Sequence, residues 1–419
     1  MTVEIIPTLL QGNITAVSSK SSVHRLLIAA MLSDTATTIH LNALSEDIMA
    51  TVECIRALGA KAEVSANSIT VTPCPPSGSA ILQCGESGTT FRLLLPVAAA
   101  MCDGVQFCGK GRLMARPLSP LKEEMEKKGV VTELFGNVFS THNRLTSGEY
   151  TLPGNVSSQF ISGLLFALPL LEGDSKIIIS SPLQSRAYVD MTLDVLKQFG
   201  INIHTMANGF YVCGRQKYTS PTTVYAEGDW SNGSFWLCAA ALGNAITVSG
   251  LDMATRQGDI AVLRVLEQMG ASVKVDGNTV TVTPPPWLKA TTVDAAQIPD
   301  AVPILAATAA FAEGETVFTN AERLRLKESD RIMTTCDMIN KMGGKAISED
   351  NSIRIIGTKD LCGGVADSFN DHRIAMSLAI TATKTSGKVT ITDASPVNKS
   401  YPDFFDHYTS LGGNIKCHQ

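Results

Sequence analysis

Cations cluster at the predicted beginnings of helices in this 419-residue chain. Lys20 and Arg25 stand at the start of one apolar helical segment, Arg92 at a second, and His372 with Arg373 at a third. Arg112 and Arg116, then Arg323, Arg325, Lys327 and Arg331, and finally Lys399, gather around the starts of more polar segments. The helix dipole favours carboxylates at such positions, so cations there oppose it. A helix start also offers unpaired N–H groups and a partial positive charge, which suit a bound anion. Arginine adds a planar fork that matches carboxylate or phosphate, and lysine adds a compact charge. The combination predicts an enzyme that holds small substrates bearing phosphate and carboxylate. Each piece taken singly has a plainer reading. Ser-rich starts are ordinary caps, Arg116-Pro117 is a solvated helix start, and Asp300 caps a helix after Pro299. His372 is satisfied by Asp371, and Lys327 with Arg331 forms a surface ion-pair cluster around Glu328 and Asp330. The functional reading gains weight because these residues share one phase of an internal repeat.

Glycine marks that repeat. Helix-like segments end at Gly59, Gly129, Gly200, Gly270, Gly343 and Gly412, at intervals of 70, 71, 70, 73 and 69 residues. Glycine after a helix is expected in the left-handed region, where it carries no Cβ penalty. Alternating β-branched runs around short turns follow, as at 62–65 with 69–72 and at 271–275 with 279–283, and they read as hairpins. Roughly 40 residues before each glycine lies a polar cluster: 18–22, 86–90, 157–159, 228–232, 298–300 and 370–373. Runs that follow, such as 26–32, 93–101, 304–311 and 374–380, are apolar on nearly every side, which predicts buried helices capped by the clusters. A third landmark opens a second, amphipathic helix about a dozen residues before each glycine. It reads Glu46-Asp47, Arg116-Pro117, residues 187–190, Gly258-Asp259, Ser329-Asp330 and Tyr401-Pro402-Asp403. Acidic residues and proline suit a first turn. Each unit therefore reads β-α-β-α-β-β, with an inner apolar helix and an outer amphipathic one. Six units predict two three-unit domains, simply divided around 210–225 near Ser220-Pro221.

The balance of 34 basic against 39 acidic side chains, net −5, argues against a nucleic-acid binder working through a broad basic face. The longest apolar stretch, residues 160–171, contains Gly163 and Pro169 and is too short to span a bilayer. The N-terminus lacks the pattern of a signal peptide. The ten cysteines form no CxxC pair, so reduced, buried thiols in a cytoplasmic protein are expected.

Three motifs carry a family resemblance over nearly the whole chain: Gly85-Glu86-Ser87-Gly88-Thr89-Thr90-Phe91-Arg92, Leu326-Lys327-Glu328-Ser329-Asp330-Arg331 and Asp371-His372-Arg373. Lys20-Ser21 with Arg25, Arg116-Pro117 and Ser157-Ser158-Gln159 support them. The sequence resembles the enolpyruvyl transferases, and among them those that act on shikimate 3-phosphate. The resemblance implies an inside-out α/β fold of two lobes, each with three β-α-β-α-β-β repeats packed around buried helices. It puts residues 1–18 with 228–419 in one lobe and 19–227 in the other, with crossings near 17–19 and 226–228, and it implies that the lobes close on the substrates. The reaction implied transfers the enolpyruvyl group of phosphoenolpyruvate to the 5-hydroxyl of shikimate 3-phosphate, with release of phosphate. By resemblance, shikimate 3-phosphate is held by Lys20, Ser21, Arg25, Ser157, Ser158, Ser185, Tyr188, Asp300 and Lys327. Phosphoenolpyruvate is held by Lys20, Gly88, Arg116, Gln159, Arg331, Arg373 and Lys399. The chemistry removes a proton from the hydroxyl and adds one to the enol carbon, work that two carboxylates in different environments can divide. Asp300 is assigned as base, Glu328 as proton donor and Lys20 as an aid to proton traffic. No metal or organic cofactor is implied, and a monomer is expected. Glu86 departs from the Asn of many members, Leu93 from a Pro, and Arg323 from an Asn. The fourth repeat offers no catalytic candidate and is expected to serve packing and the crossing between lobes. The rival readings are a transferase acting on UDP-N-acetylglucosamine, whose loop near residue 115 would carry a cysteine that this chain lacks, and a non-catalytic binder of phosphorylated metabolites.

Overall fold

All six landmark glycines have positive φ, from 79° at Gly200 to 113° at Gly59, in the computed structural model of the chain, which describes residues 1–74 and 78–418. A side chain at those angles would crowd its own backbone, so glycine ends every outer helix at an equivalent point. Among the described residues, twelve α-helices follow in order: α1 (Lys20–Leu32), α2 (Glu46–Ala57), α3 (Gly88–Met101), α4 (Leu121–Glu126), α5 (Ser158–Ala167), α6 (Arg186–Gln198), α7 (Trp230–Ala241), α8 (Val262–Gln268), α9 (Val302–Ala309), α10 (Arg331–Lys341), α11 (His372–Ala382) and α12 (Phe404–Ser410). Odd-numbered helices are the inner ones and even-numbered helices the outer ones. Every residue of α7, α9 and α11 is buried. Apolar side chains on all sides leave such a helix no solvent face, so it must be surrounded; each Leu, Ile or Phe so buried contributes about 1.5–3 kcal/mol.

The polar clusters cap most inner helices. Ser19, Ser87 and Asp229 accept from the backbone N–H of Ser22, Thr90 and Asn232, and Asp371 from that of Arg373. Two expected caps do not form. Ser157 makes no side-chain cap bond, and α9 begins at Val302 after Ala301, which leaves Asp300 outside the helix to find other partners. The Arg116-Pro117 helix start is also corrected. A short 3-10 turn, Leu113–Ala115, precedes Arg116, and α4 begins only at Leu121. Arg116 is extended there (φ −75°, ψ 136°), as a residue before proline prefers.

Each repeat builds a four-stranded sheet with one strand order. In the second repeat the order in space is Ser79–Gly85, Gly104–Gly109, Val138–His142, Val131–Phe135. The first pair is parallel and is joined through α3; the last pair is an antiparallel hairpin. Three strands come from distant sequence. Thr223–Tyr225 pairs parallel with Thr37–His40 and completes the first repeat. Gln11–Thr15 pairs parallel with Ala245–Ser249 and completes the fourth. Thr2–Ile6 lies between Val389–Thr392 and Asn414–His418, antiparallel to both, and fills the gap in the sixth.

The chain forms two compact units, one of Met1–Val17 with Glu227–Gln419 and one of Ser18–Ala226. A division within 210–225 is excluded, because Thr223–Tyr225 hydrogen-bonds into the sheet of the first repeat. In the Ser18–Ala226 unit α3 packs against both α1 and α5, and in the other unit α7, α9 and α11 pack against one another. Helices thus lie inside and small sheets outside. At Gly163 an added Cβ would stand 2.6 Å from the Arg92 carbonyl oxygen, so α3 and α5 approach as closely as they do only because α5 carries glycine there.

No helix among the described residues is long and apolar enough to cross a membrane. All ten cysteines are free thiols. The expectation that they are buried is corrected in part. Cys54, Cys84, Cys102, Cys238 and Cys336 are buried, three more are partly so, and Cys362 and Cys417 are exposed.

Candidate active site

In five of the six repeats the start of the inner helix meets the segment that leads into or opens the outer helix. Lys20 Nζ lies 2.7 Å from Asp47 Oδ2. An added Cβ on Gly88 would lie 2.6 Å from Arg116 Nη1. Ser231 hydrogen-bonds Asp259, Asp300 Oδ1 lies 3.1 Å from Lys327 Nζ, and Asn370 Oδ1 lies 2.7 Å from Lys399 Nζ. These partners are 27 to 29 residues apart. One inner helix, one strand and one turn therefore return the chain to where it began, and both chemically loaded landmarks of a repeat meet.

On the Ser18–Ala226 unit the expected residues lie at helix starts. Lys20 and Ser21 open α1, half-buried. Arg25, one turn on, is only 1% exposed. Its Nε donates to Thr192 Oγ1 at 2.8 Å, Nη1 to the Ser21 carbonyl at 2.7 Å and Nη2 to the Tyr188 carbonyl at 2.9 Å, so it ties α1 to α6. Ser157 and Ser158 are buried at the start of α5. Ser185, at the start of α6, is buried in the left-handed region (φ 53°). Gln159 donates to Thr89 Oγ1 at 2.9 Å and accepts from Arg92 Nη1 at 3.2 Å. Arg92 Nη2 reaches the Pro117 carbonyl at 3.2 Å and thereby anchors the segment that carries Arg116. Glu86 packs its carboxylate against Gly111, where an added Cβ would stand 2.7 Å away.

On the other unit one guanidinium organises three carboxylates. Arg331, 1% exposed, donates from Nη1 to Asp300 Oδ1 at 2.6 Å and from Nη2 to Glu328 Oε2 at 2.7 Å. Its Nε reaches Asp371 Oδ2 at 2.8 Å. The surface ion-pair reading of Lys327 and Arg331 is thus corrected by burial. Arg373 Nη1 donates to Asn232 Oδ1 at 3.2 Å, and its buried Nε has no hydrogen-bond partner among the described residues. Lys399 is held by the carbonyl and side-chain oxygens of Asn370 at 2.8 and 2.7 Å. His372 Nδ1 stands 3.9 Å from Asp371 Oδ1. Burial works to raise the Asp300 carboxyl, but the charges of Lys327, Arg331 and Arg373 outweigh it and hold it well below the usual carboxylate range. Burial lowers Lys327, and Asp300 and Glu328 offset that only in part. Cations here are shared among protein carboxylates, and an arriving phosphate or carboxylate competes for the same N–H groups.

Several participants escaped the sequence reading in their roles. Asp47 looks like a favourable first-turn acid, and it is the partner of Lys20. Arg92 reads as one cation among many, and it positions Gln159 and the Pro117 carbonyl. Asn232 and Asn370, read as cap residues, hold Arg373 and Lys399. The available signal was phase: Asp47 occupies in the first repeat the place of Lys327 in the fifth.

Three inner helices wrapped by small sheets, twice over, define an enolpyruvyl-transferase architecture. The solved enolpyruvyl transferase NikO from Streptomyces tendae matches with a TM-score of 0.81 over 99% of this chain and 98% of that one; at 20% identity this speaks for the fold alone. A solved EPSP synthase from Acinetobacter baumannii matches over 100% of both chains with 27% identity and a TM-score of 0.81. The model of the family EPSP synthase (3-phosphoshikimate 1-carboxyvinyltransferase) matches residues 5–408. A 3-phosphoshikimate 1-carboxyvinyltransferase from Clostridium kluyveri is 40% identical over 99% of this chain and 98% of its own length, and one from Clostridium perfringens is 39% identical over 98% of each. The chain belongs to the EPSP synthase family.

Proposed function

We propose that the chain transfers the enolpyruvyl group of phosphoenolpyruvate to the 5-hydroxyl of shikimate 3-phosphate and releases phosphate, a step of aromatic amino acid biosynthesis. Beyond family membership, one observation carries the reading: Asp300 and Glu328 both accept from the buried Arg331 guanidinium, with Lys327 on Asp300 as well. Two carboxylates able to move protons share the cations that two phosphorylated substrates need.

Shikimate 3-phosphate is assigned to Lys20, Ser21, Arg25, Ser157, Ser158, Ser185, Tyr188, Asp300 and Lys327. Phosphoenolpyruvate is assigned to Lys20, Gly88, Arg116, Gln159, Arg331, Arg373 and Lys399. Asp300 takes the proton of the 5-hydroxyl while Glu328 protonates the enol methylene carbon, and Lys20 assists proton traffic. The tetrahedral intermediate then loses phosphate and a methyl proton, and the double bond re-forms. Asp300 is a poor base while Lys327 and Arg331 both hold it. Substrate anions draw those cations away, so binding raises its basicity at the moment it is needed. The cations in turn stabilise the phosphate as it leaves. Side chains supply both proton transfer and charge neutralisation, so the scheme calls on no metal or organic cofactor. We place the protein in the cytoplasm as a monomer. Its ten free thiols fit a reducing compartment.

Phosphate release in the presence of both substrates, with the enolpyruvyl ether followed by proton NMR, tests the proposal. Release should require both substrates. Binding without release would leave a non-catalytic binder, and turnover with UDP-N-acetylglucosamine in place of shikimate 3-phosphate would reassign the chain to the sister reaction.

A further inference from the structure

The fourth repeat supplies no residue to the substrate assignments, yet one of its side chains reaches the cations of the sixth. Asn232, the third residue of α7, is 1% exposed. Asp229 Oδ1 caps its backbone N–H at 2.7 Å, which leaves the carboxamide for other partners. Its Oδ1 accepts from Arg373 Nη1 at 3.2 Å, and its Nδ2 donates to the Ser400 carbonyl at 3.4 Å. A guanidinium only donates and a carbonyl only accepts, so these two partners fix which way the amide points. Ser400 directly follows Lys399, so one carboxamide touches both Arg373 and the backbone beside Lys399. Phe235, one turn further along α7, sets its ring 5.7 Å from Arg373 Cζ. The face that α7 offers the guanidinium is therefore an amide oxygen and an aromatic ring, both neutral. Arg331 is the contrast, because Asp300, Glu328 and Asp371 share its charge. Arg373 forms no ion pair with a carboxylate among the described residues, and its buried Nε has no hydrogen-bond partner there. An aspartate at 232 would have the same shape and would give Arg373 the stronger contact. Packing alone therefore does not account for a neutral amide here.

We propose that Asn232 is a positioning residue for phosphoenolpyruvate: its carboxamide aims the Arg373 guanidinium and, being uncharged, leaves the charge of that cation to the substrate anion. The inference rests on the assignment of Arg373 to phosphoenolpyruvate. A buried guanidinium is costly without a counter-charge, and here the substrate supplies one that the fold withholds. Through the Ser400 carbonyl the same amide also sets the spacing between Arg373, at the start of α11, and the segment that carries Lys399. The fourth repeat then contributes by orienting the cations of the sixth and touches no substrate.

The test is steady-state kinetics by phosphate release, with KM measured for each substrate. The proteins are the wild type, Asn232→Asp, Asn232→Ala, Arg373→Ala, and Asn232→Asp combined with Arg373→Ala. Asn232→Asp keeps the shape and adds a counter-charge. The KM for phosphoenolpyruvate should rise by about tenfold or more, the loss of one charge-assisted contact, with that for shikimate 3-phosphate nearly unchanged. Asn232→Ala releases the guanidinium without neutralising it and should raise the same KM by a smaller factor. In the Arg373→Ala background Asn232→Asp should add nothing further, because its effect passes through the guanidinium. An unchanged phosphoenolpyruvate KM in Asn232→Asp, an equal rise for both substrates, or a rise that persists without Arg373 would overturn the proposal. If Asn232→Asp does not fold, an unmoved phosphoenolpyruvate KM in Asn232→Ala overturns it. Arg373→Ala separates the two readings: an unchanged phosphoenolpyruvate KM there sinks the assignment of Arg373 itself, whereas a raised KM there with Asn232→Asp unaltered sinks only the role of Asn232.

Discussion

Arg331 grips Asp371 with two nitrogens, Nε to Oδ2 at 2.8 Å and Nη2 to Oδ1 at 3.2 Å, and both side chains are buried. Ser329 Oγ and the Arg373 backbone N–H donate to the same carboxylate at 2.9 Å each, so Asp371 joins the starts of α10 and α11. The grip fixes the plane of the guanidinium and aims its remaining N–H groups at Asp300 and Glu328.

Removing Asp371 leaves a buried guanidinium short of a counter-charge. Asp371→Ala should therefore lose about 3–5 kcal/mol of stability in urea unfolding, and Asp371→Asn, which keeps acceptor geometry without charge, should lose less. Equal losses would show that the charge carries the whole contribution and that the acceptor geometry alone adds nothing.

Asp300 and Lys327 touch each other, yet their removal should be read in different measurements. Asp300→Ala and Glu328→Gln should lower kcat by roughly 10²–10⁴, the range for a positioned acid or base. Lys327→Met should weaken shikimate 3-phosphate binding, measured by calorimetry, by about tenfold or more, the loss of one charge-assisted contact. A large fall in Tm with binding preserved would return Lys327 to a structural ion pair.

Gly88 has no space for a methyl group, because a Cβ there would sit 2.6 Å from Arg116 Nη1 and 3.0 Å from Cζ. Gly88→Ala should displace the Arg116 guanidinium. The KM for phosphoenolpyruvate should rise by about tenfold or more, the loss of a bidentate anion contact, with little change for shikimate 3-phosphate. An equal rise for both substrates would contradict the assignment of Arg116.

His24 is buried on α1, with Nδ1 2.6 Å from Thr51 Oγ1, and burial, then Lys20 and Arg25, depress its pKa well below 6.5. Below pH 6.5 the unfolded chain binds a proton that the native state refuses, so this group favours unfolding as pH falls through the window between the two values. The slope is at most about 1.4 kcal/mol per pH unit. His24→Gln should lose less stability than wild type between pH 7.5 and 5.5 by urea denaturation, and identical losses would refute the contribution.

Much of the architecture is local and could be read directly. Glycine at positive φ, alternating hairpins and apolar runs behind polar caps depend on neighbouring residues, so their phases at Gly59 or Gly270 are visible in one dimension. Helix starts failed where local rules compete. Proline at 117 suits a first turn, yet the chain at Arg116 stays extended and α4 waits until Leu121. Asp300 suits a cap, yet Lys327 and Arg331 offer it more than a helix N-terminus does.

By itself the sequence determined the six-fold period, the burial of the inner helices and the presence of cations at helix starts, because these follow from residue type and short-range spacing. Only the tertiary structure decided which partner each charge finds. Lys20 and Asp47, Asp300 and Lys327, or Ser231 and Asp259 lie 27 or 28 residues apart, beyond any helical or strand periodicity. They meet because the segment leading into or opening the outer helix returns to the start of the inner helix of its repeat, and the closing strands Thr2–Ile6 and Thr223–Tyr225 arrive from the far ends of their units to complete the sheets around those helices.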